Sequence, residues 1–130
     1  MSHFSKHKNI FWFVLSFVLT LFFIRGILLL FKGAHDINNL ESYNIHHFLI
    51  GAFLLIVVII VWLCTAINTP TVILAGIGSA LVVDEIVYFV VLTQGSYELY
   101  MGPASLWGAV IMAGIVLLIT GAGYYTTKKR

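Results

Sequence analysis

Charge is what this chain has least of. Only 9% of its 130 residues are Asp, Glu, Lys or Arg, against 61% that are hydrophobic, whereas soluble domains carry roughly 25% charged residues. A soluble globular fold is thereby excluded. So is a nucleic-acid partner, because a net charge of +2 offers no basic face. Cys64 is the single cysteine, which rules out an internal disulfide and a Cys-x-x-Cys pair. The strict alternation that marks barrel strands is missing. There is also no Gly-rich phosphate loop, no His-Glu-x-x-His helix, no serine-centred elbow and no haem-attachment motif.

What is present is a set of long apolar runs. They predict an all-α fold, a four-helix transmembrane bundle in one transmembrane domain, with helices over about 9–31, 46–67, 71–93 and 105–125. Each run approaches the ~20 residues that cross hydrocarbon as a helix. Lys6 and Lys8 ahead of the first run also suit a signal peptide. That run, however, exceeds the length of a signal core and ends without a small-x-small cleavage site, so it reads as the first span.

Lys6, Lys8, Lys128, Lys129 and Arg130 flank the first and last runs, whereas Asp36, Glu41 and Glu98 fall in the two connections on the other side. The positive-inside rule then puts both termini in the cytoplasm, together with the short Asn68-Thr69-Pro70 turn. Pro70 is expected to end one helix and let Thr71 begin the next.

Against this apolar background stand two adjacent acids, Asp84 and Glu85, inside the third run. An acid near the centre of a membrane helix costs ~2.5–3.5 kcal/mol on insertion scales, so such a pair is kept where it has partners and a task. Counted from Pro70 at helical rise, the acids lie ~21 Å along, in the outer half of the bilayer. Arg25, on the outward-going first helix, reaches a similar depth. His46 and His47 open the inward-going second helix at the same boundary, with Asn44 as a cap and a weak capping box at Asn38 and Glu41 just upstream. The ionisable residues thus collapse into one layer near the extracytoplasmic face.

Adjacent helical residues point ~100° apart, so one member of each pair is expected to face inward and the other to orient it or to pair with Arg25. Convergence of His46, His47, Asp84 and Glu85 suits a divalent metal ion, zinc or iron, with Arg25 as charge partner. His35, Asp36 and Tyr88 are candidates for outer positions that orient the ligands. The plainer alternatives are histidines that meet only water and headgroups, and an Arg25–carboxylate latch with no chemistry. A haem pocket is disfavoured, since histidines clustered at the boundary do not ligate from two sides.

Small residues four apart, Ala75/Ser79 and Gly76/Ala80 on the third helix and Ala104/Gly108 and Ala109/Ala113 on the fourth, predict close packing between those two helices. Trp12, Trp107, Tyr124 and Tyr125 fit aromatic belts. The first and third runs share no polar pattern, which disfavours a repeat-built transporter.

The motifs His46-His47-x-x-x-Gly51 and Gly76-x-Gly78-x-x-Leu81-x-x-Asp84-Glu85 resemble those of an uncharacterised family of small four-helix integral membrane proteins of bacteria and archaea. The match covers the central two helices. Ile86-Val87-Tyr88 and Tyr97-Glu98-Leu99-Tyr100 stand where such proteins often carry a tryptophan and an acid-aromatic loop. The resemblance implies a shared site and a prokaryotic inner membrane, without a known reaction.

Three functions remain open on these residues. One is a metal-binding membrane protein. Another is a metal-dependent enzyme of lipid or headgroup chemistry, with water activated by the ion and a carboxylate as general base. The last is a proton- or ion-responsive structural or assembly component without metal. Membrane lipids are the expected partners in each case.

Overall fold

The computed structural model describes residues 3–31, 47–91 and 102–128. Among them run four helices and no strand: α1 (His3–Phe31), α2 (His47–Cys64), α3 (Thr69–Val91) and α4 (Pro103–Lys128). Each is long and apolar enough to cross a membrane, over His7–Ile27, His47–Cys64, Thr69–Ile86 and Pro103–Thr126 respectively.

The helix ends depart from the apolar runs for local reasons. α1 begins at His3 rather than Asn9, because helical hydrogen bonding does not stop where hydrocarbon does and Lys6 and Lys8 are at home in a headgroup layer. α2 stops at Cys64 rather than Ile67. Beyond it, Asn68 and Thr71 cap α3 reciprocally: the Thr71 amide donates to Asn68 Oδ1 at 3.0 Å and the Asn68 amide to Thr71 Oγ1 at 3.4 Å. These bonds satisfy amides that a helix start otherwise leaves orphaned. Pro70 therefore lies inside the first turn of α3 rather than in the connection, where its missing N–H costs nothing.

Side-chain contacts set the topology. Gly76 meets Phe13 and Phe17 and Asp84 meets Arg25, so α1 and α3 run parallel. Gly78 meets Gly51 and Thr71 meets Trp62, so α2 and α3 are antiparallel. His7 against Tyr124 and Arg25 against Ser105 make α1 and α4 antiparallel. The result is an up-down-up-down order in which α1 starts and α4 finishes at one end.

α3 is the central helix. Half of its spanning window is buried, against 6%, 11% and 6% for α1, α2 and α4. Phe17, Ala80 and Val83 form the core, with Val18 and Leu21 of α1 and Met112, Ala113, Val116 and Leu117 of α4 packed around them. The small residues of α3 divide their work. Ala80 does share the core with Ala113 of α4, but Gly76 admits α1 and Gly78 admits α2, so they do not serve mainly a contact with α4. The outward faces carry Phe22, Leu30, Leu63 and Leu118, each more than 70% exposed. This arrangement suits lipid tails as solvent.

Candidate functional site

Two turns before its end, α3 presents Asp84 and Glu85, and the structure buries both, at 0% and 5% exposure. The expectation that only one acid faces inward is corrected here. A helix surrounded by three neighbours has more than one inward face, so side chains ~100° apart can each meet a different helix.

Asp84 turns toward α1 and α4. Arg25 Nε donates to its Oδ1 at 2.6 Å, and Arg25 Nη2 donates to the Asp84 backbone carbonyl at 3.2 Å and to Ser105 Oγ at 3.3 Å. One guanidinium thereby ties three helices in a single layer, using the planar fork that distinguishes Arg from Lys. Of the two acids that could pair with Arg25, it is Asp84 that does. Ser105, wholly buried, was not legible as a participant. Serines are common near helix starts, and nothing in its local sequence points across the bundle.

Glu85 turns toward α2. Its Oε2 accepts a hydrogen bond from the Phe48 amide at 2.5 Å. That amide belongs to the first turn of α2, where N–H groups lack intrahelical acceptors and the helix dipole favours an anion. The carboxylate of one helix thus serves as a cap for another.

His47 is the first residue of α2 and is partly buried. His46, His35 and Asp36 lie outside the described residues, as do Asn38, Glu41 and Asn44. Tyr88 falls on α3, with its side chain outside the described ones. Among the described residues, no group of three or more His, Cys, Asp or Glu side chains converges on one point. The described donors on this side are Glu85 and His47, and Asp84 is paired with Arg25.

Two glycines hold this geometry. A Cβ on Gly51 would sit 2.7 Å from the Gly78 carbonyl oxygen and 2.7 Å from Leu81 Cβ, and a Cβ on Gly78 would sit 3.0 Å from the Gly51 oxygen. The α2–α3 crossing is therefore a backbone-to-backbone contact that only glycine permits. Gly51 lies one turn from His47 and Gly78 two turns from Glu85, so the crossing sets where the acid meets the start of α2. The spacing of glycines from the polar pairs was visible in the motifs, but not that the two glycines touch.

At the opposite end the polar contacts are structural. Trp62 Nε1 donates to Thr71 Oγ1 at 2.8 Å, and Thr71 Oγ1 in turn donates to the Asn68 carbonyl at 3.0 Å. Set against family models, curated proteins and solved structures, the chain matches none of them.

Proposed function

We propose that this is an integral membrane protein that takes up a divalent cation, zinc or iron, at the membrane face where α2 begins. Glu85, His46 and His47 are the donors. Asp84 leaves the donor set and, with Arg25 and Ser105, forms the clamp that keeps α3 in register. The observation that carries this reading is the bond from the Phe48 amide to Glu85 at 2.5 Å. It brings the second acid to the turn that His47 opens, while the first stays with Arg25. A carboxylate with imidazoles suits a borderline divalent ion. The ion, once bound, would supply a charge joining α2 to α3.

Metal analysis of the purified full chain tests this. Wild type is expected to carry metal, His46→Ala/His47→Ala and Glu85→Gln to lose it, and folded Asp84→Asn to keep it. Metal-free wild type, or metal kept by the histidine and Glu85 variants, overturns the reading.

A second reading, a proton- or ion-responsive assembly component without metal, is favoured by one observation. Among the described residues no buried side-chain nitrogen or oxygen lacks a hydrogen-bond partner, so each described buried polar group is already paired. Under this reading, stability or partner binding changes with pH in wild type and less so in Glu85→Gln. Identical behaviour of the two at every pH sinks it.

The orientation proposed from the flanking charges, both termini in the cytoplasm of a prokaryotic inner membrane, is supported by the shared end of α1 and α4.

A further inference from the structure

Among the described residues, α1, α3 and α4 each pack against the other two, whereas α2 packs extensively against α3 alone. The hydrophobic core is built likewise. Phe17, Ala80, Val83 and the side chains around them come from α1, α3 and α4, and the buried residues of α2 are Gly51 and Val58. The outward side of α2 carries Leu49, Phe53 and Ile56, each more than half exposed. Three helices thus form one packed unit, and α2 is attached to its side.

Lipid tails solvate apolar side chains as well as a neighbouring helix does, so a membrane helix is held to its neighbours by close packing and polar bonds. α2 packs closely where Gly51 meets Gly78 and has a polar tie near each end. Trp62 Nε1 donates to Thr71 Oγ1 at the Cys64 end, where only residues 65–68 separate α2 from α3. At the His47 end the Phe48 amide donates to Glu85, the acid proposed as a metal donor. Asp84, one residue before Glu85, is fixed to the three-helix unit by Arg25, which also reaches Ser105. An event at Glu85 is therefore passed to α2 rather than to α1 or α4.

We propose that α2 is a metal-responsive element: an ion held between Glu85 of α3 and His47 of α2 fixes the His47 end of α2 against the three-helix unit, and loss of the ion lets that end part from α3. This inference rests on the metal reading of the same site. The least packed element of a fold opens at the lowest cost. Glu85 and the turn that His47 opens meet only while α2 is docked, so the ion binds that arrangement in preference and shifts the population toward it. By linkage, a change that loosens α2 weakens ion binding by the same factor.

Distances between paired spin labels test this on the full chain in lipid nanodiscs, with Cys64→Ser as background and labels at exposed positions. Phe53→Cys with Leu118→Cys reports α2 against α4, and Leu19→Cys with Leu118→Cys reports α1 against α4 within the unit. Zinc is stripped with a chelator or added to saturation, and bound zinc is measured in the same samples. The α2–α4 distribution is expected to be broad without zinc and to narrow to one population with it, while the α1–α4 distribution stays narrow throughout. Glu85→Gln and His47→Ala are each expected to abolish the response. Gly51→Ala, which removes no donor, is expected to broaden the zinc-free distribution further and to lower zinc affinity severalfold. Zinc that binds while the α2–α4 distribution stays unchanged overturns this inference and leaves the metal reading standing. Failure to bind zinc or iron overturns both, and an equal zinc response in the two label pairs overturns the assignment to α2.

Discussion

At the residue scale, the Arg25–Asp84 pair is the feature with the largest expected energetic consequence. Asp84 is wholly buried and the Arg25 side chain is 14% exposed. Removing one partner of such a pair leaves an unneutralised charge and costs ~3–5 kcal/mol in soluble proteins. Arg25→Ala is therefore expected to lower thermal stability in detergent, and Asp84→Asn on the same background to restore part of it. Glu85→Gln on that background is expected to restore nothing, because Glu85 bonds to α2 rather than to Arg25. A double-mutant cycle on unfolding midpoints checks this. Strictly additive effects of Arg25→Ala and Asp84→Asn would mean that the pair carries no coupling.

At the element scale, glycine positions separate into two kinds. At Gly51 an added methyl meets the backbone of α3, so Gly51→Ala has to part α2 from α3, an overpacking change that costs ~1–3 kcal/mol. On α4, Gly114 and Gly121 have nothing within 4 Å of an added Cβ. There Gly→Ala removes backbone freedom from the unfolded chain without a clash and is expected to stabilise by ~0.4–1 kcal/mol. Thermal unfolding of Gly51→Ala beside Gly121→Ala should move in opposite directions. Matching shifts would show that the α2–α3 crossing is not as close as described. Because Gly51 lies one turn from His47, the Gly51 variant is also expected to weaken any metal retention that depends on Glu85.

At the scale of the whole molecule, orientation is the property to test. Cys64 is exposed at the end of α2, at the same end of the bundle as the start of α1 and the finish of α4, and it is the single thiol of the chain. A membrane-impermeant maleimide applied to intact cells is expected to leave Cys64 unmodified and to label it after permeabilisation. Labelling of intact cells would invert the topology and place the Glu85 layer toward the cytoplasm.

The amino-acid sequence by itself determined that the described chain is helical, how many long apolar helices the described residues form, and that the acids within the third of them need partners. Both hydrophobic run length and the cost of a buried charge are local properties, readable along the chain. Even the common depth of Arg25 and Asp84 followed from counting residues at helical rise. Only the tertiary structure decided how the acids are shared. Which face of α3 meets which neighbour depends on α3 being central, and that in turn depends on backbone approaches at Gly76 and Gly78 that no periodicity reveals. Ser105 joins Arg25 across 80 residues of sequence, and the Phe48 amide, a backbone group carrying no side-chain signal at all, takes up Glu85. Contacts between distant segments are set by packing geometry rather than by local composition, which is why the partners of each polar residue became legible only once the helices were in place.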